Sequence, residues 1–129
     1  MKNLVTESDF VETYEDFLSQ SICSQLINLV DEENERIERD HKPNFYQRNI
    51  GNLKEYTSLY SKFSEIGMKY LSDIGYYDDL LPEKYGFEEM RIKKYDVGDS
   101  YDTHVDVSDY ASARRWLAFL VYLNDNFTG

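Results

Sequence analysis

Tyr95-Asp96-Val97-Gly98-Asp99-Ser100-Tyr101-Asp102-Thr103-His104-Val105-Asp106 is the stretch around which the rest of the chain is arranged. It ends in His104-Val105-Asp106. In an extended strand, residues i and i+2 point to the same face. An imidazole and a carboxylate would therefore stand side by side, one peptide unit apart, and form a bidentate seat for a divalent metal. Gly98 permits a turn that returns the chain into a strand over 101–106. Alone, a His-x-Asp carries little weight. The chain is rich in aspartate, and a solvated His and Asp on a surface strand satisfy the same pattern.

On the upstream side, residues 87–95 read as a strand with Met90 and Ile92 on one face. On the downstream side, 108–113 reads as a loop and 115–123 as a strand apolar on both faces. Leu117, Phe119 and Val121 stand opposite Trp116, Leu120 and Tyr122, which predicts a central strand covered on both sides. The acidic set Asp96, Asp99, Asp102, Asp106 and Asp109 does not have the spacing, glycine or terminal glutamate of an EF-hand loop.

Further upstream the periodicity becomes helical. Residues 16–19 lead into a helix with Ser19 or Ser21 as N-cap. Ile22, Leu26, Ile27, Leu29 and Val30 recur at helical spacing. Residues 31–40 continue that helix as a solvated end, with i,i+4 pairs Glu32–Arg36 and Glu35–Arg39. Residues 41–51, including Pro43, Phe45 and Arg48, read as a loop. A second helix spans 53–74. Its stripe of Tyr56, Leu59, Tyr60, Phe63, Ile66, Tyr70, Leu71 and Ile74 predicts packing against a sheet, with Gly75 as its stop. Residues 76–86 form a turn-rich connection.

The series Tyr95, Gly98, Tyr101, His104, Asp106, Arg115 and Tyr122-Leu123-Asn124, followed by Asn126, Thr128 and Gly129, resembles the 2-oxoglutarate- and Fe(II)-dependent dioxygenases. The likeness is to their prolyl 4-hydroxylase-like branch. It implies an α+β fold in which N-terminal helices, about residues 16–75, pack on a double-stranded β-helix of the jelly-roll or cupin-like kind. Only the first strands of that core, about residues 87–124, fall within a single domain of residues 1–129. The resemblance makes His104 and Asp106 ligands of Fe(II), one completing part of a 2-His-1-carboxylate triad with the other. It places Tyr95 and Tyr122 on the cosubstrate 2-oxoglutarate, and Tyr101 and Arg115 at the substrate.

The implied activity is hydroxylation of a C–H bond in a peptide or protein substrate, with O2 consumed and 2-oxoglutarate converted to succinate. Ascorbate is compatible as an accessory reductant. The family's second iron-binding histidine, and the basic residue that pairs with 2-oxoglutarate, would follow Gly129. His41 is the only other histidine and lies in a polar loop region, a poor substitute ligand. The chain thus reads as the front half of a catalytic domain. The alternatives are a catalytically incomplete jelly-roll binding module and one half of a split enzyme. Unpaired sheet edges would then favour a homodimer or a complementing C-terminal segment.

Composition narrows the partners. A net charge of −11 disfavours nucleic acid and an anionic membrane surface, both of which select a basic face. Cys23 is the sole cysteine, so no intrachain disulfide can form. No apolar run spans a bilayer and the first residues lack the apolar centre of a secretion signal, so the expected location is cytoplasmic. At 41% hydrophobic and 16% aromatic, the chain has enough apolar surface for a core.

Overall fold

Ser19 opens the first helix, α1 (Gln20–Glu32). Its backbone is extended and its Oγ accepts the Ile22 amide N–H at 3.2 Å, which satisfies one donor that a helix start leaves open. The computed structural model describes residues 10–39, 43–75 and 82–128. They fall into two compact units, one from Met1–Phe17 and Gly51–Glu89, the other from Leu18–Ile50 and Met90–Gly129. The second unit holds α1 and a three-stranded antiparallel sheet in the order β1-β2-β3. Its strands are β1 (Glu35–Glu38), β2 (Asn44–Asn49) and β3 (Arg91–Lys94). Together with the helices, that sheet makes the chain an α+β protein.

Of the solvated helix end expected over 31–40, only Asp31 and Glu32 are helical among the described residues. α1 stops at Glu32 and the following residues become β1. The carbonyls at the end of α1 are taken by other donors. Asn34 Nδ2 donates to the Val30 carbonyl at 2.6 Å, and Arg48 Nη1 donates to the Leu29 carbonyl at 2.6 Å. A cation is favoured at that negative end of the helix. The expected loop over 41–51 is corrected too, because most of it is β2, the middle strand. The magnitudes explain the outcome. An exposed i,i+4 ion pair is worth about 0.2–0.5 kcal/mol. Burying Phe45, which is only 4% exposed, is worth about 1.5–3 kcal/mol.

The register gives the sheet two different faces. Glu35 pairs with Gln47 and Ile37 with Phe45, while Gln47 pairs with Lys93 and Arg48 with Ile92. Directly opposed residues share a face. One face meets α1: Leu26 and Val30 of the helix and Ile92 of β3 are buried, and Lys94 Nζ reaches Asp31 Oδ1 at 2.7 Å. The other face carries Phe45, Lys93 and, just beyond β3, Tyr95.

Two expected strands are absent among the described residues. Residues 101–106 pair with no strand, the last bridge being Ser100 to Asn44 just before them, and 115–123 join no sheet. Two-sided burial of 115–123 also fails. Leu117, Phe119, Val121 and Leu123 are half-buried, whereas Leu120 is 86% and Tyr122 75% exposed. A row covered on one side only keeps the alternation of a strand without its second layer. The strand expected over 87–95 shortens to β3.

In the first unit, a single 3-10 turn (Lys54–Tyr56) leads into α2 (Ser58–Asp73). Leu59 and Leu71 are buried along its stripe, and Phe17 and Tyr60 meet Phe63 and Phe87 at ring distances of 5.2 Å. Gly75 ends α2 at φ +73°, the left-handed conformation that glycine adopts freely after a helix. Residues 1–9, and residues 76–81 of the connection expected over 76–86, lie outside the described residues. Among the described residues no helix is long and apolar enough to cross a membrane.

Candidate functional site

The site is built on the sheet face opposite α1. After β3 the chain reverses in a turn at 96–99. The Asp99 amide N–H donates to the Asp96 carbonyl at 2.9 Å, and the Asp96 N–H donates back to Asp99 Oδ2 at 2.9 Å. Gly98 occupies φ +89° in this turn, and a Cβ there would meet open space. Gly98→Ala should therefore cost only backbone strain, about 1–2 kcal/mol, read as a lower urea midpoint. An unchanged midpoint would show that the turn relaxes at no cost.

Arg36 of β1 clamps the turn from across the sheet. Its two Nη atoms donate to the two oxygens of Asp99, each at 2.8 Å, and its guanidinium lies 4.7 Å from the Tyr46 ring centroid. The Arg36 bonds, and then the Asp96 N–H, lower the Asp99 carboxyl from 3.8 to about 2. A depressed carboxyl stabilises the fold above its unfolded pKa and loses that contribution as pH falls through the folded one. The stability advantage of the native chain over Asp99→Asn should be constant near neutrality and vanish between about pH 4 and pH 2. Denaturant midpoints across that range measure it, and a pH-independent difference would contradict it.

Past the turn, the chain brings four rings together. Phe45 lies 5.5 Å from Tyr95 and 5.8 Å from Tyr101, the latter stacked, and Tyr101 stacks on His104 at 4.0 Å. Lys93 Nζ sits 4.9 Å from both the Phe45 and the Tyr101 centroids. Lys93 is exposed as a residue, yet its ammonium packs against ring faces. That desolvation, then the like charge of Arg91, lowers its pKa, while Asp106 opposes the shift. Burial, then Tyr101, Tyr122 and Asp99, raises the Tyr95 hydroxyl.

His104 and Asp106 do stand together, although not on a strand. His104 Nδ1 lies 2.8 Å from the Asp102 carbonyl oxygen. A carbonyl only accepts, so this bond puts the ring proton on Nδ1 and leaves Nε2 a lone pair in the neutral imidazole. That Nε2 faces Asp106 Oδ1 at 3.2 Å, with both side chains open to solvent. Two acceptors at this separation need a cation between them, either a proton or a metal ion. Two cis donors bound at about 2.0–2.2 Å are themselves about 3 Å apart. The carbonyl that orients the far ring nitrogen is also the usual support of a metal-binding histidine.

Arg115 and Tyr122 lie at the margin of this cluster. Arg115 Nη1 donates to the Asp106 carbonyl at 2.7 Å, which holds the carboxylate-bearing peptide. A tight turn precedes it, in which the buried Ser112 Oγ accepts from the Ser108 and Asp109 N–H groups and donates to Asp109 Oδ1 at 2.7 Å. Tyr122 influences Tyr95 electrostatically, but its ring stacks on Phe127 at 5.8 Å.

Sequence reasoning left two members of the site unassigned. Lys93 was signalled by its i,i+2 spacing from Tyr95; Phe45 had no local signal, because the region around it lacks strand alternation. His41 lies outside the described residues. Among those described, no group of three His, Cys, Asp or Glu side chains converges on one point. No protein-family model matches the chain, and neither a curated protein nor a solved structure matches it.

Proposed function

We propose that this chain carries part of the active site of an Fe(II)- and 2-oxoglutarate-dependent hydroxylase, prolyl 4-hydroxylase-like, acting on a peptide or protein. The observation that carries the reading is the pair His104 Nε2 and Asp106 Oδ1, facing each other at 3.2 Å with Nδ1 already committed to a carbonyl. His104 and Asp106 would hold the metal. Tyr101, stacked on His104, fixes the plane of the imidazole, and Arg115 fixes the Asp106 peptide. Tyr95 and Tyr122 offer hydroxyls toward the cosubstrate, and Tyr101 and Arg115 border the substrate side. The jelly-roll core belongs to this same reading, with the β1-β2-β3 sheet as one of its layers. With metal and cosubstrate bound, such a site couples oxidative decarboxylation of 2-oxoglutarate to C–H hydroxylation.

Calorimetric titration with Fe(II) under anaerobic conditions, followed by 2-oxoglutarate and then by succinate production in air, tests the proposal. Binding of both, with succinate formed, is the expected result; a chain that takes up no Fe(II) sinks it. The second reading is a binding module without catalysis. It is favoured by the exposed apolar row of Trp116, Leu120, Tyr122 and Phe127, a surface suited to a protein partner. It predicts a melting temperature that chelators leave unchanged.

A further inference from the structure

Residues 101–106 pair with no strand, so the sheet ladder does not fix the backbone of Asp106. The turn that follows holds it at two points. Arg115 Nη1 donates to the Asp106 carbonyl at 2.7 Å, and the Ser108 amide N–H, two residues on, donates to Ser112 Oγ at 3.0 Å. Both points lead back to Ser112. Its carbonyl accepts the Arg115 amide N–H at 3.1 Å, which sets where the Arg115 side chain begins. Its hydroxyl also accepts the Asp109 N–H at 3.1 Å and donates to Asp109 Oδ1 at 2.7 Å, and its own N–H donates to that oxygen at 2.8 Å. Ser112 is only 6% exposed, whereas Ala111, Ala113, Arg114 and Arg115 around it are exposed. The turn is thus folded round a hydroxyl.

His104 has a separate support. Its Nδ1 lies 2.8 Å from the Asp102 carbonyl oxygen and its ring stacks on Tyr101 at 4.0 Å. The imidazole is therefore oriented by the chain before it, and the carboxylate by the chain after it. Asp106 is open to solvent, and such a side chain samples many arrangements unless its backbone is fixed. We infer that Ser112 and Arg115 are positioning residues, which together hold the Asp106 peptide so that its carboxylate stays 3.2 Å from His104 Nε2. That positioning is a property of the metal-free chain; its service to a metal rests on the proposed function. Ser112 touches neither donor atom. It acts through the Ser108 N–H and through Arg115, as groups behind a ligand do when they fix its direction.

Backbone nitrogen-15 relaxation of the full chain without metal tests the positioning. In the native chain the Asp106, Val107 and Ser108 amides should be as rigid as the sheet, with order parameters of about 0.85. Ser112→Ala should lower them below about 0.6. It should leave β1, β2 and β3 rigid and the urea midpoint unchanged, because the turn opens locally. Ser112→Thr keeps the hydroxyl and should hold them near native. Arg115→Met is an independent route: it frees the Asp106 carbonyl while the Ser112 hydroxyl keeps its partners. Native amides that are already flexible, or order parameters unchanged in either variant, overturn the inference. So does a lowered midpoint with residues 106–108 still rigid, the mark of a merely structural serine. Calorimetric titration with Mn(II) gives the second readout. Affinity should fall by about tenfold to a hundredfold in Ser112→Ala and Arg115→Met, and stay near native in Ser112→Thr. Equal affinity in the native chain and either of the first two overturns the inference and leaves the dioxygenase reading standing. A native chain that takes no Mn(II) defeats the dioxygenase reading instead, and the relaxation measurement alone then decides the positioning.

Discussion

Phe45→Ala is expected to lower stability by about 3–5 kcal/mol, the range for removing a buried phenylalanine from a packed site. Phe45, the second residue of the central strand, is 4% exposed. Its ring meets Tyr95, Tyr101 and the Lys93 ammonium on one side of the sheet. Truncation therefore removes the transfer free energy of the ring and also leaves three neighbours facing a void, where each aromatic pair adds about 0.5–1.5 kcal/mol. Phe45→Leu keeps most of the volume and should cost less than about 1.5 kcal/mol. Urea midpoints of the two variants measure the difference. Equal midpoints would show that the ring is a surface cover and not part of the core. Because Tyr101 bridges Phe45 and His104, Phe45→Ala should also weaken metal binding, while Phe45→Leu should leave it near native.

His104→Ala is expected to remove metal binding with almost no effect on folding. The imidazole is open to solvent, and substitutions of exposed side chains usually stay within about 0.5 kcal/mol. Its removal leaves Asp106 as a lone carboxylate in water, which holds a divalent ion weakly. Loss of an outer-shell partner alone costs roughly 10–100-fold in metal affinity, so loss of a direct ligand should cost at least that. Asp106→Ala should behave in the same way, and Asp102→Ala should not, because the Asp102 contact comes from its backbone carbonyl. Calorimetric titration with Mn(II) reads all three. Equal affinity in the native chain and His104→Ala would remove His104 from any metal site and, with it, the proposed function.

The two experiments separate the two roles of this face. Phe45 acts through packing, and its effect shows in the unfolding midpoint before it shows in binding. On the proposed function His104 would act through one nitrogen, and its effect should show in binding alone. Asp99→Asn gives a third signature, a stability loss that disappears in acid.

Much of the local structure was legible in the order of residues. Ser19 as a cap, the helical rows of α1 and α2, and the glycines at 75 and 98 all express preferences that act within about four residues. The closeness of His104 and Asp106 is local as well: they are two residues apart, and the pair survives although the strand expected to hold it does not form. What the chain order left open was every pairing over distance. Residues 35–38 carry helix-compatible charge spacing, yet they become a strand, because β2 offers backbone partners and a buried Phe45 outweighs a few exposed ion pairs. Arg36 finds Asp99 at a separation of 63 residues, and no periodicity encodes that choice. Lys93 and Phe45 join the site only through the register of β2 against β3, which sets which side chains share a face. Short-range propensity thus determined where the chain caps, turns and presents the His104–Asp106 pair; only the tertiary structure, by fixing register and burial, decided which rings and charges surround that pair.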